Sequence, residues 1–246
     1  GSEMCIRDSN RGYIMEKIYE TAYAKINLGL DVLGKRSDGY HEVRMVMQSV
    51  GLSDAVEIEE GEGLVVETDH SGLAGGPDNL AWKAAELLAR CCGKIPNVHI
   101  RLNKKIFLAA GLAGGSSDAA AVMRGLSRLW QLDLTAPELE KLAAELGSDI
   151  PFCITGGTAL AEGRGEILTE LPEAPELLLV LAKPKLEVAT GWVYGNFRQQ
   201  KVNQRPDIDG IIKALEQSAT GLLLESCGNV LESVTIPCLL YTSPSP

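Results

Sequence analysis

The chain has 246 residues, of which 45% are hydrophobic and 23% are charged, a composition typical of a globular protein with an ample core. Its formal net charge of −10 argues against general binding to nucleic acids or anionic membranes, so an anionic substrate would need a locally basic site. No apolar run is long enough to cross a bilayer, and the six cysteines show no metal-ligand spacing, which predicts free thiols in a cytosolic protein.

The first predicted strand carries polar side chains on one face. Apolar residues alternate over residues 26–32, which marks a strand with one buried face. Lys25 and Asn27 then share the opposite face, because side chains alternate along a strand with a period of two. A turn at residues 34–39 leads to a second strand over residues 43–47.

The next elements are a hairpin and a helix. Two short apolar stretches, residues 56–58 and 64–66, flank the turn signal at residues 61–63 and predict a β-hairpin. Asp78 or Asn79 caps the helix that follows, because both residue types accept hydrogen bonds from the first free N–H groups of a helix.

A glycine-rich stretch, residues 109–118, leads the functional interpretation. Gly111, Gly114 and Gly115 suit a backbone that takes positive φ or approaches a ligand closely. Apolar residues recur behind them at helical spacing, so the stretch runs into a helix N-terminus, which attracts anions. This pattern predicts a phosphate-binding loop. The alternative, from the residues alone, is a tight connection between a strand and a helix.

Two common nucleotide-binding motifs are disfavoured at this loop. A P-loop needs a lysine directly after its last glycine, and none follows here. The spacing of the glycines also differs from that of a dinucleotide-binding loop. The preceding stretch, residues 98–103, alternates like a half-exposed antiparallel strand, whereas both motifs follow a buried parallel strand.

The second half of the chain adds helices and further strands. Residues 135–138 form a capping-box pattern for a helix that Gly147 ends. The further predicted elements are a glycine-interrupted strand over residues 152–161, a buried strand over residues 177–182, a short helix over residues 190–197 that Thr190 caps, and a helix that begins at Ile211. This mixture of strands and helices indicates the α+β class.

Several ordered stretches resemble the GHMP kinases, the galactose, homoserine and mevalonate kinase superfamily. The glycine-rich loop is similar to the second motif of that family. The other stretches are residues 22–30 (Ala-Tyr-Ala-Lys-Ile-Asn-Leu-Gly-Leu), 36–43 (Arg-Ser-Asp-Gly-Tyr-His-Glu-Val), 77–80 (Pro-Asp-Asn-Leu) and 146–152 (Leu-Gly-Ser-Asp-Ile-Pro-Phe). The resemblance covers residues 15–236. Phe107 stands where the family usually has proline, which removes no functional group.

The resemblance implies the two-domain GHMP kinase fold, with the substrates in a cleft between the domains. Residues 15–165 would form the nucleotide-binding and catalytic domain, similar to ribosomal protein S5 domain 2, and residues 166–237 a ferredoxin-like domain. Proline-rich and glutamate-rich sequence near residues 161–175 agrees with that boundary. We expect residues 1–14 and 238–246 to be non-native tails.

The family's third motif, another glycine-rich loop, does not occur downstream of Asn229. We therefore expect the ferredoxin-like domain to be incomplete and C-terminally truncated, and the activity of this chain to be impaired.

The implied activity is that of an ATP- and Mg²⁺-dependent kinase that phosphorylates a hydroxyl of a cytidine diphosphate-linked polyol in the non-mevalonate isoprenoid pathway. The partners would be these small molecules, with no nucleic acid, no membrane and no obligatory protein partner. Homoserine or mevalonate kinase activity is less favoured, because the motif at residues 39–41 matches a cytidine pocket that those enzymes do not need. A catalytically inactive nucleotide-binding protein is the alternative from another class.

Two residues are the candidate catalytic groups. From its strand pattern alone, Lys25 reads as a solvent-facing lysine, and Asp149 as the cap of a turn or helix. The resemblance instead places the family's catalytic lysine at Lys25 and its catalytic aspartate at Asp149. A cation beside the transferring phosphoryl group and a carboxylate that orients the attacking hydroxyl are what phosphoryl transfer requires.

The resemblance also implies binding residues. The cytidine pocket falls on Tyr40 and His41, whose rings suit stacking and edge hydrogen bonds. Tyr194 would close this pocket, and Asn27 would contact substrate hydroxyls or phosphate. The ATP- and phosphate-binding set comprises Ala109, Ala110, Gly111, Leu112, Ala113, Gly114, Gly115, Ser116 and Ser117, with Asn79 and Lys104 nearby. Ser116 or Ser117 can also cap the helix, and Ser117 could reach Mg²⁺ through its hydroxyl.

Overall fold

The computed structural model of the protein describes residues 17–184 and 188–242, with side chains up to residue 237. The strands are β1 Lys17–Lys35, β2 His41–Glu60, β3 Leu64–Thr68, β4 Val98–Asn103, β5 Thr158–Glu162, β6 Ile167–Glu170 and β7 Gly228–Asn229. The helices are α1 Leu80–Cys91, α2 Gly114–Leu129, α3 Ala136–Ala143, α4 Ile150–Thr155, α5 Thr190–Asn196, α6 Ile208–Glu216, α7 Thr220–Ser226 and α8 Glu232–Thr242, with a 3₁₀ turn at Gln199–Lys201.

One mixed sheet organises the molecule around its two long strands. β1 and β2 pair antiparallel along most of their lengths, and the strand order is β3-β4-β2-β1-β7. Because β2 is 20 residues long, it pairs with β4 through residues 55–60 and with β5 through residues 45–48. The sheet therefore branches, and β5 and β6 form an antiparallel arm beside the first half of β2.

Helices α1 and α2 pack on the sheet and enclose the main core. Ile58 of β2 and Ile100 of β4 are fully buried against Met123 and Leu126 of α2. A second buried cluster joins the sheet to the later part of the chain. In this cluster, Met45 of β2 is buried together with residues of the α5 region. This second cluster lies under the cleft described below.

The predicted hairpin at residues 61–63 is wrong, because β4 lies between β2 and β3. The Gly61 N–H donates to the Asn97 carbonyl at 3.1 Å, and the Val98 N–H donates to the Gly63 carbonyl at 2.9 Å. β4 thus enters at the place where a hairpin would have closed. It pairs antiparallel with β2, as its alternation predicts, but parallel with β3.

The strand predicted over residues 152–161 is shorter than expected. Helix α4 occupies the first part of it, with Pro151 in its first turn, a position that proline favours. Gly156 and Gly157 both adopt positive φ, and the strand β5 begins only at Thr158.

The buried strand predicted over residues 177–182 does not form. In the described part of the chain no strand pairs with it, and Leu178 and Val180 are 99% and 90% exposed. An apolar run becomes a buried strand only when a neighbouring strand and a covering layer are present. The short helix predicted over residues 190–197 does form, as α5. Ala189 occupies the capping position, so the predicted Thr190 cap is wrong.

The predicted domain boundary between residues 165 and 166 falls in the turn between β5 and β6, and it stays a prediction. The tail predicted at residues 1–14 lies outside the described residues, and α8 runs through Thr242 across the boundary predicted at residues 237 and 238. No helix in the described ranges is both long and apolar enough to cross a membrane.

Candidate active site

Lys25 lies where β1 departs from regular pairing. Tyr23 pairs with Ser53 and Lys25 pairs with Ser49, so β2 places three residues opposite a single residue of β1. Such a bulge bends a strand and redirects its side chains. The Lys25 N–H donates instead to the Leu112 carbonyl at 3.1 Å. The bulge therefore ties this point of β1 to the glycine-rich loop.

The side chain of Lys25 is buried and meets two polar partners. Its Nζ lies 3.8 Å from Oδ1 of Asp149 and donates to Oδ1 of Asn27 at 3.2 Å. The side chain of Lys25 is 6% exposed, whereas that of Asp149 is 37% exposed. A buried ammonium needs such partners to keep its charge. Two residues from distant parts of the sequence thus form an ion pair whose carboxylate remains open to the cleft.

Asp149 directly precedes α4 but does not cap it. Its backbone is right-handed helical, and its carboxylate accepts no capping hydrogen bond from the helix. The interpretation of Asp149 as a simple cap is therefore wrong. Because the carboxylate is not engaged by the helix backbone, it can interact with a ligand in the cleft.

The loop before α2 has the backbone shape of an anion site. Ala109, Gly111 and Ala113 take positive φ values of 51°, 71° and 57°. Alternation of left-handed with ordinary backbone turns successive N–H groups towards one point and forms a concave anion-binding nest. The N-terminus of α2, a helix of 16 residues, adds its dipole to the same place. The loop is therefore suited to hold a phosphate group.

The roles of the loop glycines differ in part from those that the sequence predicts. Positive φ is taken by Gly111 and by two alanines, in which it costs about 1–2 kcal/mol per residue. Gly114 already belongs to α2, and a Cβ atom there would lie 3.0 Å from Cγ2 of Ile106. This glycine therefore serves close packing, and the left-handed turns do not depend on it.

The two serines that follow the glycines lie in different environments. Ser116 lines the cleft, whereas Ser117 is 1% exposed and its hydroxyl donates to the Tyr23 carbonyl at 2.7 Å. No side chain caps α2, whose preceding residue is Ala113, so the predicted serine cap is wrong. The structure also does not bring Ser117 to the cleft, and its hydroxyl is not placed to bind Mg²⁺ there.

Two predicted nucleotide contacts have structural roles instead. Asn79 caps α1, since its Oδ1 accepts from the Ala81 N–H at 2.9 Å. Lys104 is buried between the carboxylates of Asp54 and Asp118 and bonds to both. Neither Asn79 nor Lys104 lines the cleft, because both side chains are used to fix the neighbouring elements.

The cleft has a volume of about 950 Å³ and contains most of the other predicted site residues. Its lining includes the catalytic candidates, Asn27, the loop residues 109–112 and Ser116. It also includes Tyr40, His41 and Tyr194. One continuous space therefore brings together the predicted phosphate, catalytic and cytidine sites.

Aromatic rings gather at one end of the cleft. The His41 ring lies 5.4 Å from that of Tyr194 and meets Phe197 edge-on at 6.5 Å, measured between centroids. Burial, with a smaller effect from Lys35, lowers the pKa of His41, so its imidazole is neutral at neutral pH. Burial, with a smaller effect from Asp149, raises the pKa of Tyr194 to about 12, which keeps its hydroxyl protonated.

Two residues of this region were missed from the sequence. The sequence pattern predicts residue 197 only as the end of a short helix, and it assigns no role to Arg164. Arg164 lines the cleft, and its guanidinium carbon lies 4.9 Å from the centroid of the Tyr40 ring. Its position between Gly163 and Gly165 was the available signal, since a Gly-Arg-Gly turn after a strand presents the arginine at a sheet end.

A loop suited to hold a phosphate group and a lysine–aspartate pair in one cleft, on this branched sheet, are the arrangement expected of a small-molecule kinase. The family model described as GHMP kinases N terminal domain matches residues 79–157. The 4-diphosphocytidyl-2-C-methyl-D-erythritol kinase of Acetivibrio thermocellus is 48% identical over 223 residues, covering 90% of this chain and 79% of that protein. The protein of the same name from Geobacillus kaustophilus is 47% identical over 218 residues, covering 87% and 75%. The chain belongs to the GHMP kinases, within the family of the 4-diphosphocytidyl-2-C-methyl-D-erythritol kinases.

A solved structure supports the same assignment. The crystal structure of a 4-(cytidine 5'-diphospho)-2C-methyl-D-erythritol kinase matches with a TM-score of 0.71 and 31% identity, covering 91% of this chain and 79% of that one. The resemblance seen in the sequence and the α+β GHMP kinase fold are therefore confirmed. Use of ATP follows from membership of this kinase family.

Proposed function

We propose that the chain transfers the γ-phosphoryl group of ATP to a hydroxyl of 4-(cytidine 5'-diphospho)-2-C-methyl-D-erythritol. The observation that carries the proposal is the 3.8 Å contact between Lys25 and Asp149 in the cleft that also holds the phosphate loop and the aromatic end. The names of relatives that are 47–48% identical support this substrate.

The proposed chemistry relies on position and charge. In phosphoryl transfer the protein mainly aligns the reactants and stabilises the charge that spreads over the phosphoryl oxygens. The open carboxylate of Asp149 is suited to accept a hydrogen bond, and then the proton, from the attacking hydroxyl. Lys25 carries a positive charge beside that point, and Asn27 holds its Nζ at 3.2 Å.

The two ends of the cleft suit the two substrates. The backbone nest at residues 109–113 and the N-terminus of α2 would hold the ATP phosphates. At the other end, Tyr40 offers an exposed ring face on which a pyrimidine can stack. The neutral His41 has one donor and one acceptor nitrogen, which match the mixed hydrogen-bonding edge of cytosine.

Magnesium would enter with ATP. In the parts of the chain that the structure describes, no group of three or more His, Cys, Asp or Glu side chains could hold a metal ion. Mg²⁺ at phosphoryl-transfer sites often uses one or two protein oxygens together with substrate phosphates and water, so the absence of such a cluster agrees with MgATP as the substrate. Asp149 and Ser116 are among the side chains with oxygen atoms that line the cleft.

A cytosolic location and action without an obligatory protein partner belong to the same proposal. Cys91, Cys92, Cys153 and Cys227 are free thiols, as expected in a reducing compartment.

The test is ADP release measured with three acceptors: the cytidine diphosphate-linked methylerythritol, mevalonate and homoserine. We expect turnover with the first and background rates with the other two. Faster turnover with mevalonate or homoserine would contradict the substrate assignment. ATP binding without ADP release in all three assays would instead identify a catalytically inactive nucleotide-binding protein.

A further inference from the structure

We propose that Arg164 is a positioning residue for substrate binding: it holds the Tyr40 ring in the orientation that stacks on the cytosine base. This inference rests on the proposed function, because it assumes that cytidine binds at the aromatic end of the cleft. Arg164 lies in the turn between β5 and β6, outside the stretches that resemble the GHMP kinases.

The contact between the two side chains has the geometry of a cation–π interaction. The guanidinium carbon of Arg164 lies 4.9 Å from the Tyr40 ring centroid, within the distance of about 6 Å at which such contacts are favourable. Arginine suits this contact because its planar cation stacks on aromatic faces. The guanidinium can therefore cover one face of the ring and leave the other for a base.

The guanidinium is itself held in place. Its Nε donates to Oε1 of Glu166 at 3.3 Å, and the backbone N–H of Arg164 donates to Oε2 of the same carboxylate at 2.6 Å. One glutamate thus fixes both the backbone and the side chain of Arg164. Because the side chain of Arg164 is already held in place, it can restrict the orientation of a neighbouring ring.

The turn that carries Arg164 is fastened to the start of β2. The Val43 N–H donates to the Gly163 carbonyl at 2.9 Å. Gly165 has a φ of 110°, and a Cβ atom there would lie 2.6 Å from Cε of Met45, so the turn approaches β2 more closely than other residues allow. The distance between Arg164 and the residue that precedes β2, Tyr40, is therefore set by the sheet.

The Tyr40 ring needs such support. Its backbone is fixed, because its N–H donates to Oδ1 of Asp38 at 3.0 Å and its carbonyl accepts from the Arg36 N–H at 2.8 Å. The residue, however, is 55% exposed, whereas the neighbouring His41 contacts two aromatic rings. Restricting an exposed ring before binding reduces the conformational entropy that is lost when the base stacks.

A direct contact between Arg164 and the substrate diphosphate is the competing account, because the same side chain lines the cleft. The two accounts differ in one respect. A positioning residue acts through Tyr40 and loses its effect when that ring is removed, whereas a direct phosphate contact keeps its effect.

The test is a double-mutant cycle on the affinity for CDP, measured by calorimetry with Arg164→Gln, Tyr40→Ala and the double variant. We expect Arg164→Gln to weaken CDP binding about 3- to 10-fold when Tyr40 is present and by less than about twofold in the Tyr40→Ala background. The conservative Arg164→Lys should recover only part of the loss, since lysine lacks the planar cation. In steady-state kinetics, Arg164→Gln should raise KM for the cytidine-linked substrate and leave kcat unchanged.

Arg90→Gln is the matched control, because Arg90 is an exposed arginine in the last turn of α1 and outside the cleft. It should leave the affinity for CDP unchanged. Equal losses from Arg164→Gln in both Tyr40 backgrounds would overturn the positioning role and establish a direct contact. No loss in either background would overturn it as well.

The same data separate this inference from the proposed function. If Tyr40→Ala weakens CDP binding and Arg164→Gln does not, the cytidine site stands and only the role of Arg164 is wrong. If the unaltered chain does not bind CDP, or Tyr40→Ala leaves the affinity unchanged, the proposed cytidine site is wrong and this inference fails with it.

Discussion

The Nζ atom of Lys25 lies 3.8 Å from the Oδ1 atom of Asp149, although the two residues come from the first strand and from the start of α4. The bulge of β2 opposite this point of β1 makes the contact possible, because the Lys25 N–H donates to the glycine-rich loop while Lys25 stays in register with Ser49. The same short segment of β1 thus places the cation beside the carboxylate of Asp149 and ties it to the glycine-rich loop. A change in the backbone of that segment should therefore disturb the arrangement of Lys25, Asp149 and the glycine-rich loop together.

The ion pair predicts strongly coupled kinetic effects. Asp149→Asn should lower kcat by about 10²–10⁴, the range for loss of a general base, and Lys25→Ala by about 10²–10³, the range for loss of an electrostatic stabiliser. The double variant should be little slower than the slower single variant, since both groups act on one step. Lys141→Ala and Asp133→Asn are exposed controls that should retain activity. Near-normal turnover in either active-site variant would rule out its role.

The lowered pKa of His41 predicts how CDP binding depends on pH. Because burial favours the neutral imidazole, the affinity should stay constant from pH 8 down to about 6.5, the ordinary pKa of histidine. Below that range protonation removes the acceptor nitrogen, and the affinity should fall. The same titration with His41→Ala reports the protonation of CDP itself and should lack the additional fall. Identical profiles for the two proteins would contradict a hydrogen-bonding role for this ring.

The buried cluster of Asp54, Lys104 and Asp118 predicts a pH-dependent stability. Burial is the main cause that raises the pKa of Asp118 to about 7, with Lys104 opposing it and Asp54 adding to it. Oδ1 of Asp118 also has no hydrogen-bond partner. Between about pH 4 and pH 7 the folded state therefore binds more protons than the unfolded state, and the free energy of unfolding should fall as the pH rises.

Asp118→Asn mimics the protonated acid and tests this account. Urea unfolding from pH 4.5 to pH 8 should show the variant gaining on the unaltered chain by on the order of 2 kcal/mol up to about pH 7, with a constant difference above it. Parallel profiles would mean that Asp118 is ionised throughout, with Lys104 compensating for its burial.

The glycine-rich loop predicts an effect at Gly111 that comes from backbone conformation alone. Its φ is 71°, and a Cβ atom there would meet nothing within 4 Å, so Gly111→Ala tests conformation without a steric clash. We expect a loss of about 1–2 kcal/mol in the free energy of unfolding and a higher KM for ATP. Gly221→Ala is the control, since Gly221 is helical, equally open and has no positive φ. That change should not lower stability, because alanine favours a helix.

Local patterns in the sequence predicted many of the elements that hold the site. The period of two along β1 places Lys25 and Asn27 on one face, and their side chains do meet. The capping box of α3 and the Asn79 cap of α1 form as their spacing indicates, since each depends on residues a few positions apart. The family resemblance added what the residues alone left open, the catalytic assignment of Lys25 and Asp149.

Features that depend on distant contacts could not be read from the sequence. The insertion of β4 between β2 and β3 depends on strand pairing across helix α1, which separates β3 from β4 in the chain, and the local turn signal at residues 61–63 gives no information on it. The sequence around Lys104 does not show that its side chain is buried, because the burial depends on Asp54 and Asp118, which surround it in the fold. The exposed stretch at residues 177–182 is apolar enough for a strand, but a strand also needs a neighbour.

Transfer of label from [γ-³²P]ATP to the cytidine diphosphate-linked methylerythritol, followed in a single turnover, tests the central claim most directly. The account predicts labelled phosphate attached to the polyol, transfer slowed at least about 100-fold in Asp149→Asn, and no labelled product with mevalonate or homoserine. Label found only as inorganic phosphate, or equal transfer by the Asp149→Asn variant, would contradict it.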